Sequence, residues 1–591
     1  MSNFRQITLL IGFIFFAAAI AARLFYWQVI NYNQFAEAAE SQYTSTLEIG
    51  AQRGKIFSSD GEILVSNETS YLVFATLSDL RKKFQESSML EVEVKKAIEE
   101  LSPILLDEKL LKYPEPEKIS TAEKEQIIKS IKNKLSESFN KTKLVWVPLA
   151  YKISEKTKNK IEKLNLGYIG FEKQAIRFYP EDFLAPHILG FVGENEAGVE
   201  TGYLGLEGYY NDELKGKPGK LIQELDAQGR PILVGEAQEF APQNGRDLVL
   251  TLDRSVQYIV EKHLREGVKR YGANSGSIVV LSPKTGGVLA MANYPDYKPS
   301  KWEHFSETRR RNLSIADVYE PGSTFKVITM AAALNEKVVE PSTICPCKGP
   351  LKIGVYEIRT WNNEYHSNST MTQVLQHSDN VGAAFASQKL GVDKFLKYIR
   401  DFGIGRSTDI DLQGEEYGLV KEAWYPIDLA TGAFGQGLST TALQMTAAVG
   451  AIANDGILMK PYIVQKIIGE ERSVEIQPKS VRQVINKETA TILKEMMIAA
   501  VEGGEARRII PKGYRIAGKT GTAQIPIAGH YDPRKTVASF VGFGPVEDPK
   551  FVMLVKFNQP STSPYGSETA APLFFEITKD LFAYWGVPPS K

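Results

Sequence analysis

At 591 residues, with 43% hydrophobic and 24% charged residues, the chain has a globular composition and room for about two to four domains. Lys plus Arg and Asp plus Glu are 70 each, so a zero formal charge gives no electrostatic case for nucleic acid or for an anionic membrane surface. Two cysteines, Cys345 and Cys347, and six scattered histidines do not make a zinc site; no metal or other cofactor is expected, and the two thiols read as free or locally oxidised in a loop.

The first 30 residues predict a membrane anchor. Ile7 to Ala22 is almost wholly apolar, and after Arg23 the apolar run resumes to Ile30. As a helix this stretch spans about 35 Å, enough to cross a bilayer. Phe25, Tyr26 and Trp27 suit the interface, and Arg23 can snorkel. The small-residue triplet Ala19-Ile20-Ala21 lies inside the apolar core rather than after it, which favours an uncleaved anchor over a removed signal peptide. A short tail (1–6) is then expected in the cytoplasm and everything after residue 30 outside it.

Residues 31–245 read as a mixed, extended module. Asp60-Gly61 marks a turn between strand-like runs. The Lys- and Glu-rich stretch 81–166 has helical spacing, as in Val92–Leu101 and Ile127–Leu135, and its charges read as solvated faces. A boundary is expected near Asn244-Gly245-Arg246. Beyond it Asp253 is placed to cap a helix running to Val268, and two apolar runs flanking Ser282–Gly287 predict a hairpin. Further helices are expected over 440–453 and 489–501. Three strands (514–523, 537–544, 551–557) and a final helix (571–585) close the chain, predicting an antiparallel sheet with helices packed on it.

The chemistry concentrates in Glu320-Pro321-Gly322-Ser323-Thr324-Phe325-Lys326. Pro-Gly is a breaker and the alanine-rich run after it predicts a helix starting near Ser323. Residues three apart share a helix face, so Ser323 and Lys326 should point the same way. A serine hydroxyl needs a base to become a nucleophile, and a desolvated lysine can be that base. Downstream stand Ser378-Asp379-Asn380 and Lys519-Thr520-Gly521-Thr522, the second and third members of the trio of penicillin-binding proteins and class A β-lactamases. Lys284-Thr285-Gly286 also spells K-T-G, but it precedes the nucleophile and sits in the predicted hairpin turn. His377 reads as structural, Phe434–Leu443 as packing, and Trp361 and Tyr531 as residues able to line a cleft.

On these motifs the chain resembles a class B penicillin-binding protein, a membrane-anchored peptidoglycan D,D-transpeptidase. The likeness extends to Phe434-Gly435-Gln436-Gly437, Thr440-Thr441-Ala442-Leu443-Gln444 and Ala517–Gln524, and upstream to Arg53-Gly54-Lys55-Ile56, Tyr179-Pro180 and Gly205-Leu206-Glu207-Gly208. Phe57-Ser58-Ser59-Asp60 departs from the family's Asp-Arg before the turn, which puts local ionic contacts of the pedestal in question. The chain ends soon after the catalytic part, so the C-terminal repeats of some relatives are not expected.

The resemblance implies an α/β (α+β) penicillin-binding transpeptidase fold, an antiparallel sheet flanked by helices. A transmembrane helix (7–30) and an extended mixed α+β pedestal (31–245) would precede the transpeptidase domain (246–591). It implies Ser323 as nucleophile, Lys326 as its base and Ser378 as proton relay. Asn380, Lys519, Thr520, Gly521 and Thr522 would hold substrate, Gly521 by letting it approach the strand closely, and the backbone N–H groups of Ser323 and Thr522 would form the oxyanion hole. Expected partners are stem peptides ending in D-Ala–D-Ala, β-lactams, membrane lipid around 7–30, a membrane glycosyltransferase and other proteins of a division or elongation complex, with division favoured. A D,D-carboxypeptidase or β-lactamase-type hydrolase, and a non-catalytic scaffold or β-lactam sensor, are the alternatives.

Overall fold

The structure, a computed structural model, describes residues 2–35, 44–141, 144–196, 198–224, 237–504, 507–527 and 530–589, without the side chains of 2, 3, 44–47, 508, 526, 527 and 530–534. By packing, these fall into two units, Met1–Gln52 with Lys215–Gly245, and Arg53–Leu214 with Arg246–Lys591.

In the first unit, helix α1 (Ser2–Phe25) continues as a π-helical turn, Tyr26–Ile30. Within Phe4–Ile30 an 18-residue window reaches a mean hydropathy of 2.3 and buries nothing, which fits a single-pass membrane anchor. The guanidinium of Arg23, the one charge inside the apolar run, lies 5.0 Å from the centre of the Trp27 ring. That cation–π contact shields the charge at the point where the aromatic belt begins. The same unit holds a three-stranded antiparallel sheet of Thr44–Ile49, Gly219–Glu224 and Ala237–Phe240.

Among the described residues the second unit contains two large sheets and four two-stranded ones. One is seven-stranded, built around the long strand Ile63–Thr76, and it runs through Ile56–Phe57 and Asp247–Leu250 to Val464–Ile468. Helices Ser87–Leu111 and Thr121–Phe139 pack on its outer part. Leu101, Leu105, Ile131 and Leu135 form their buried stripe, against Tyr71 and Val73; charged residues face out as their spacing predicts except Glu108, which is buried and accepts from the Ser154 and Thr157 hydroxyls. The second helix starts with a Ser120–Glu123 capping box.

The Arg53 and Gly205–Gly208 motifs meet in a buried ionic knot. Glu207, fully buried, accepts from Arg53 Nε at 2.6 Å through one carboxylate oxygen and from Arg177 Nε at 2.6 Å through the other. Asn67 joins them, donating to Arg53 O and accepting from Arg177. The Phe57–Asp60 departure leaves this knot whole, and the turn closes on itself through Ser58 Oγ donating to Asp60. Removing Glu207 would strand two buried guanidinium groups, a loss of about 3–5 kcal/mol.

The other sheet carries the site. Its strands are β1 (Ser275–Leu281), β2 (Val288–Tyr294), β3 (Ala517–Ile527), β4 (His530–Gly544) and β5 (Phe551–Asn558), all antiparallel, in the order β2-β1-β5-β4-β3. The predicted hairpin, β1–β2, thus supplies one edge of a sheet whose other edge is β3. Side chains alternate along β5: Phe551, Met553, Val555 and Phe557 pack with helices α2 (Arg254–Tyr271) and α8 (Ala570–Tyr584), while Val552 and Leu554 enter the core on the opposite face. Asp253 caps α2, accepting from Val256 N at 3.0 Å, as its position predicts. Helix α6 (Ala442–Ala453), capped by Thr441, lies wholly buried on the opposite face. Helix α7 (Lys487–Glu502) packs beside β3. Cys345 and Cys347, both buried, are joined as a disulfide.

Candidate active site

The nucleophile segment is a 3-10 turn, Gly322–Phe325, and helix α3 (Lys326–Asn335) begins only at the lysine. The expectation of a helix from Ser323 is therefore corrected. The cause is local: Gly322 takes a left-handed φ of +57°, and Thr324 Oγ1 donates to Pro321 O at 2.7 Å, which tightens the turn. Side chains at i and i+3 of a 3-10 turn eclipse, so the Ser323–Lys326 spacing still puts both on one side.

Lys326 is fully buried. Its Nζ donates to Ser378 O at 2.5 Å, to Asn380 Oδ1 at 2.8 Å and to Ser378 Oγ at 3.3 Å. Those bonds tie α3 to the Ser378 loop and, among the described residues, leave none to Ser323 Oγ. Burial drives the lysine well below its ordinary pKa, the positive charge of Lys519 pushes the same way, and Asp379 opposes. A neutral amine in this position is a base.

Ser378 follows helix α4 (Met371–Gln376) with a φ of +54°, a conformation costly for serine. Asp379 accepts from Val381 N and Gly382 N and caps helix α5 (Asn380–Leu390). The segment is thus a helix cap and a site loop at once, the cap holding Ser378 in its strained position. Lys519, 4% exposed, donates to Ser378 Oγ at 3.0 Å and to Thr520 Oγ1 at 3.1 Å. With two lysines donating to it, Ser378 Oγ keeps its own proton to give. Asn380 Nδ2 donates to Arg359 O at 2.8 Å, so the carboxamide is already spanned between Lys326 and a backbone carbonyl.

The turn and the strand meet backbone to backbone. A Cβ on Gly322 would stand 3.1 Å from Thr522 O, and one on Gly521 would stand 2.8 Å from Thr324 Cγ2, 3.2 Å from Pro321 O and 2.4 Å from Ser539 Oγ. Gly521 is therefore needed for the protein's own close packing, which differs from the expected clearance for substrate. Thr522 Oγ1 accepts from Gly566 N at 3.0 Å and can still donate outward.

The Phe434–Gly437 motif packs as expected, but against the nucleophile turn itself. Gly322 N donates to Gly435 O, and a Cβ on Gly435 would clash with Gly322 O at 2.3 Å. Gly437 N donates to Glu320 Oε1 at 3.0 Å. This buttress was missed as part of the site, although two glycines in four residues signalled close backbone approach. Trp361 lines a cavity of about 470 Å³ with Ser378, Lys519 and Thr520. His377 lies there too, against His366, and burial, then His366, hold it below the usual imidazole range. The Tyr531 side chain lies outside the described residues.

The family profile described as "Penicillin binding protein transpeptidase domain" matches residues 276–579, and that of the "Penicillin-binding Protein dimerisation domain" matches 48–250. The chain belongs to the penicillin-binding protein transpeptidases. This penicillin-binding protein is 34% identical to the stage V sporulation protein D of Bacillus subtilis over 99% of its own length and 86% of the relative's. It is 31% identical to the peptidoglycan D,D-transpeptidase FtsI of Escherichia coli over 75% and 73%. Among solved structures it resembles a peptidoglycan synthetase from Bifidobacterium adolescentis (TM-score 0.70, 25% identity, 93% of this chain and 98% of that one). Penicillin-binding protein 3 of Mycobacterium tuberculosis complexed with ampicillin is similarly placed (TM-score 0.67, 25% identity, 92% and 97%).

Proposed function

We propose that the protein cross-links peptidoglycan stem peptides through an acyl-enzyme on Ser323, and that β-lactams acylate the same oxygen. The observation that carries this reading is Lys326, bonded to the Ser378 loop one turn from a serine, its pKa lowered by burial first and by the charge of Lys519 second. In the first step the Lys326 amine takes the Ser323 proton as Oγ attacks the carbonyl of the D-Ala–D-Ala bond. The Ser323 and Thr522 N–H groups receive the developing oxyanion. Ser378 passes a proton to the departing amine, and D-alanine leaves. Lys519 with the Thr520 and Thr522 hydroxyls takes the terminal carboxylate. A neighbouring amine then resolves the ester and forms the cross-link.

Residues 246–591 serve as the transpeptidase domain and 31–245 as its pedestal in this reading, with α1 crossing the cytoplasmic membrane and the site outside it. The likeness to FtsI supports a division-type role in this reading, and a membrane glycosyltransferase is the partner expected beside it. The test is release of D-alanine from a stem pentapeptide by the full chain. Ser323→Ala should abolish it; equal release by the variant and the parent would refute the assignment.

A further inference from the structure

A second cavity lies outside the acyl-transfer chemistry. It holds about 330 Å³, and none of its lining residues also lines the Ser378 cavity. Segments distant in sequence close around it: the end of the helix Val392–Asp401, the loop that follows, α6, and the paired strands Ile457–Met459 and Ser480–Gln483. Gln444, 1% exposed, belongs to its wall and to the Thr440-Thr441-Ala442-Leu443-Gln444 motif. Its Nε2 donates to Arg406 O at 2.6 Å and to Tyr417 O at 3.0 Å, which fixes the loop that carries Arg406. Lys460 N donates to Lys479 O at 2.9 Å, which sets the two lysines across from each other at the strand ends.

The charge of this cavity is one-sided. Arg400, Arg406, Lys460, Lys479 and Arg482 line it, and among the described residues Asp409 is the one acid that does so. In a chain with 70 basic and 70 acidic residues, five against one is a local imbalance. Arg482 is paired with Asp401 at 3.1 Å, and the Asp409 carboxylate accepts from the Ser407 hydroxyl at 3.0 Å. The side chains of Arg400, Arg406, Lys460 and Lys479 make neither an ion pair nor a hydrogen bond among the described residues. Four unpaired cations around one hollow repel one another, and an anion between them turns that repulsion into attraction.

The arrangement also selects the class of anion. The cations come from a helix end, a loop and two strands, so they converge from separate segments. A carboxylate offers two oxygens in one plane. A phosphate ester offers a tetrahedron of oxygens, which suits guanidinium forks and ammonium points arriving from several directions. We propose that this cavity is a binding site for a phosphate ester, the group shared by a phospholipid headgroup and by soluble or polymeric phosphates. It gives the protein a contact with anionic material apart from its peptide substrates, and it does not depend on the chemistry of Ser323.

Isothermal titration of the full chain in nonionic detergent tests this with three probes: glycerol phosphate, succinate and dihexanoylphosphatidylglycerol. Glycerol phosphate should bind once per chain, saturably, and more tightly than succinate. Arg406 and Lys479 are exposed, so Arg406→Glu with Lys479→Glu should keep the parent's melting temperature and weaken binding about tenfold. Should that pair melt early, Lys479→Gln alone, with an expected loss of about threefold, takes its place. Lys129→Glu with Lys163→Glu changes the net charge equally at exposed positions elsewhere and should bind as the parent does. Saturable binding of the short-chain lipid without that of glycerol phosphate, lost in the Arg406 and Lys479 variant, would assign the site to a lipid headgroup. No saturable binding of either phosphate, succinate bound as tightly, or equal losses in the two double variants would overturn the proposal.

Discussion

Lys-Thr-Gly occurs twice in this chain, and the two copies live differently. Lys284-Thr285-Gly286 sits in the β1–β2 turn, where the Lys284 side chain is 61% exposed and paired with Asp548, and Gly286 takes a φ of +81° to make the bend. Lys519-Thr520-Gly521 sits on an edge strand with Lys519 buried against Ser378 and Gly521 pressed on the nucleophile turn. The first lysine is a surface charge of small consequence. The second has a hydroxyl to hold and a second lysine to repel. Chemistry here comes from what surrounds the tripeptide, and order along the chain and the predicted hairpin turn around the first copy were the hints of it.

The largest effect should come from the lysines. Lys519→Ala is expected to slow acylation by a labelled penicillin by about 10²–10³-fold, the scale for losing one preorganised electrostatic group. Lys284→Ala should leave that rate alone and change stability by less than about 0.5 kcal/mol. Equal losses in both would dissolve the contrast.

The glycines come next. Gly521→Ala should cost about 10²-fold in acylation, because its methyl must displace Thr324 and Pro321 and so shifts Ser323. Gly286→Ala meets Lys460 O at 2.3 Å and a left-handed backbone, so it should lower the melting temperature while the folded fraction acylates normally. Kinetics corrected for active sites by titration separate the two.

The smallest effect is a pH profile. Lys326 must be neutral to act, so acylation should rise with pH through its lowered pKa and be flat well before 10.5, where an ordinary lysine would still be titrating. Removing the charge of Lys519 should move that rise to higher pH, since the charge is the second cause of the depression. The same depression means the folded state binds fewer protons than the unfolded one. Stability from this group therefore grows as pH climbs from the lowered value toward 10.5. A rise left unmoved in Lys519→Met would show that the lysines do not interact.

Much of this was legible in local pattern. The Asp253 cap, the 275–294 hairpin, the three closing strands and the buried stripes of the charged helices follow from spacing and capping chemistry. The 3-10 turn at Ser323 did not, because helix propensity said nothing of Gly322's left-handed backbone or the Thr324 bond to Pro321. The sheet order escaped too: β5 pairs with β1 across more than 250 residues of chain, a choice made by tertiary packing. The Arg359 carbonyl was invisible for the same reason, and the Gly435–Gly437 pair signalled a close approach without naming its partner, since each acts through contact with another segment of the chain.

The account rests on Ser323 as the oxygen that Lys326 activates, and peptide mapping by mass spectrometry after brief exposure of the full chain to benzylpenicillin tests it most directly. One penicilloyl group on the peptide bearing Ser323, absent from Ser323→Ala and strongly slowed in Lys326→Arg, is the predicted result. An adduct on another residue, or one that forms as fast when the lysine is replaced, would contradict it.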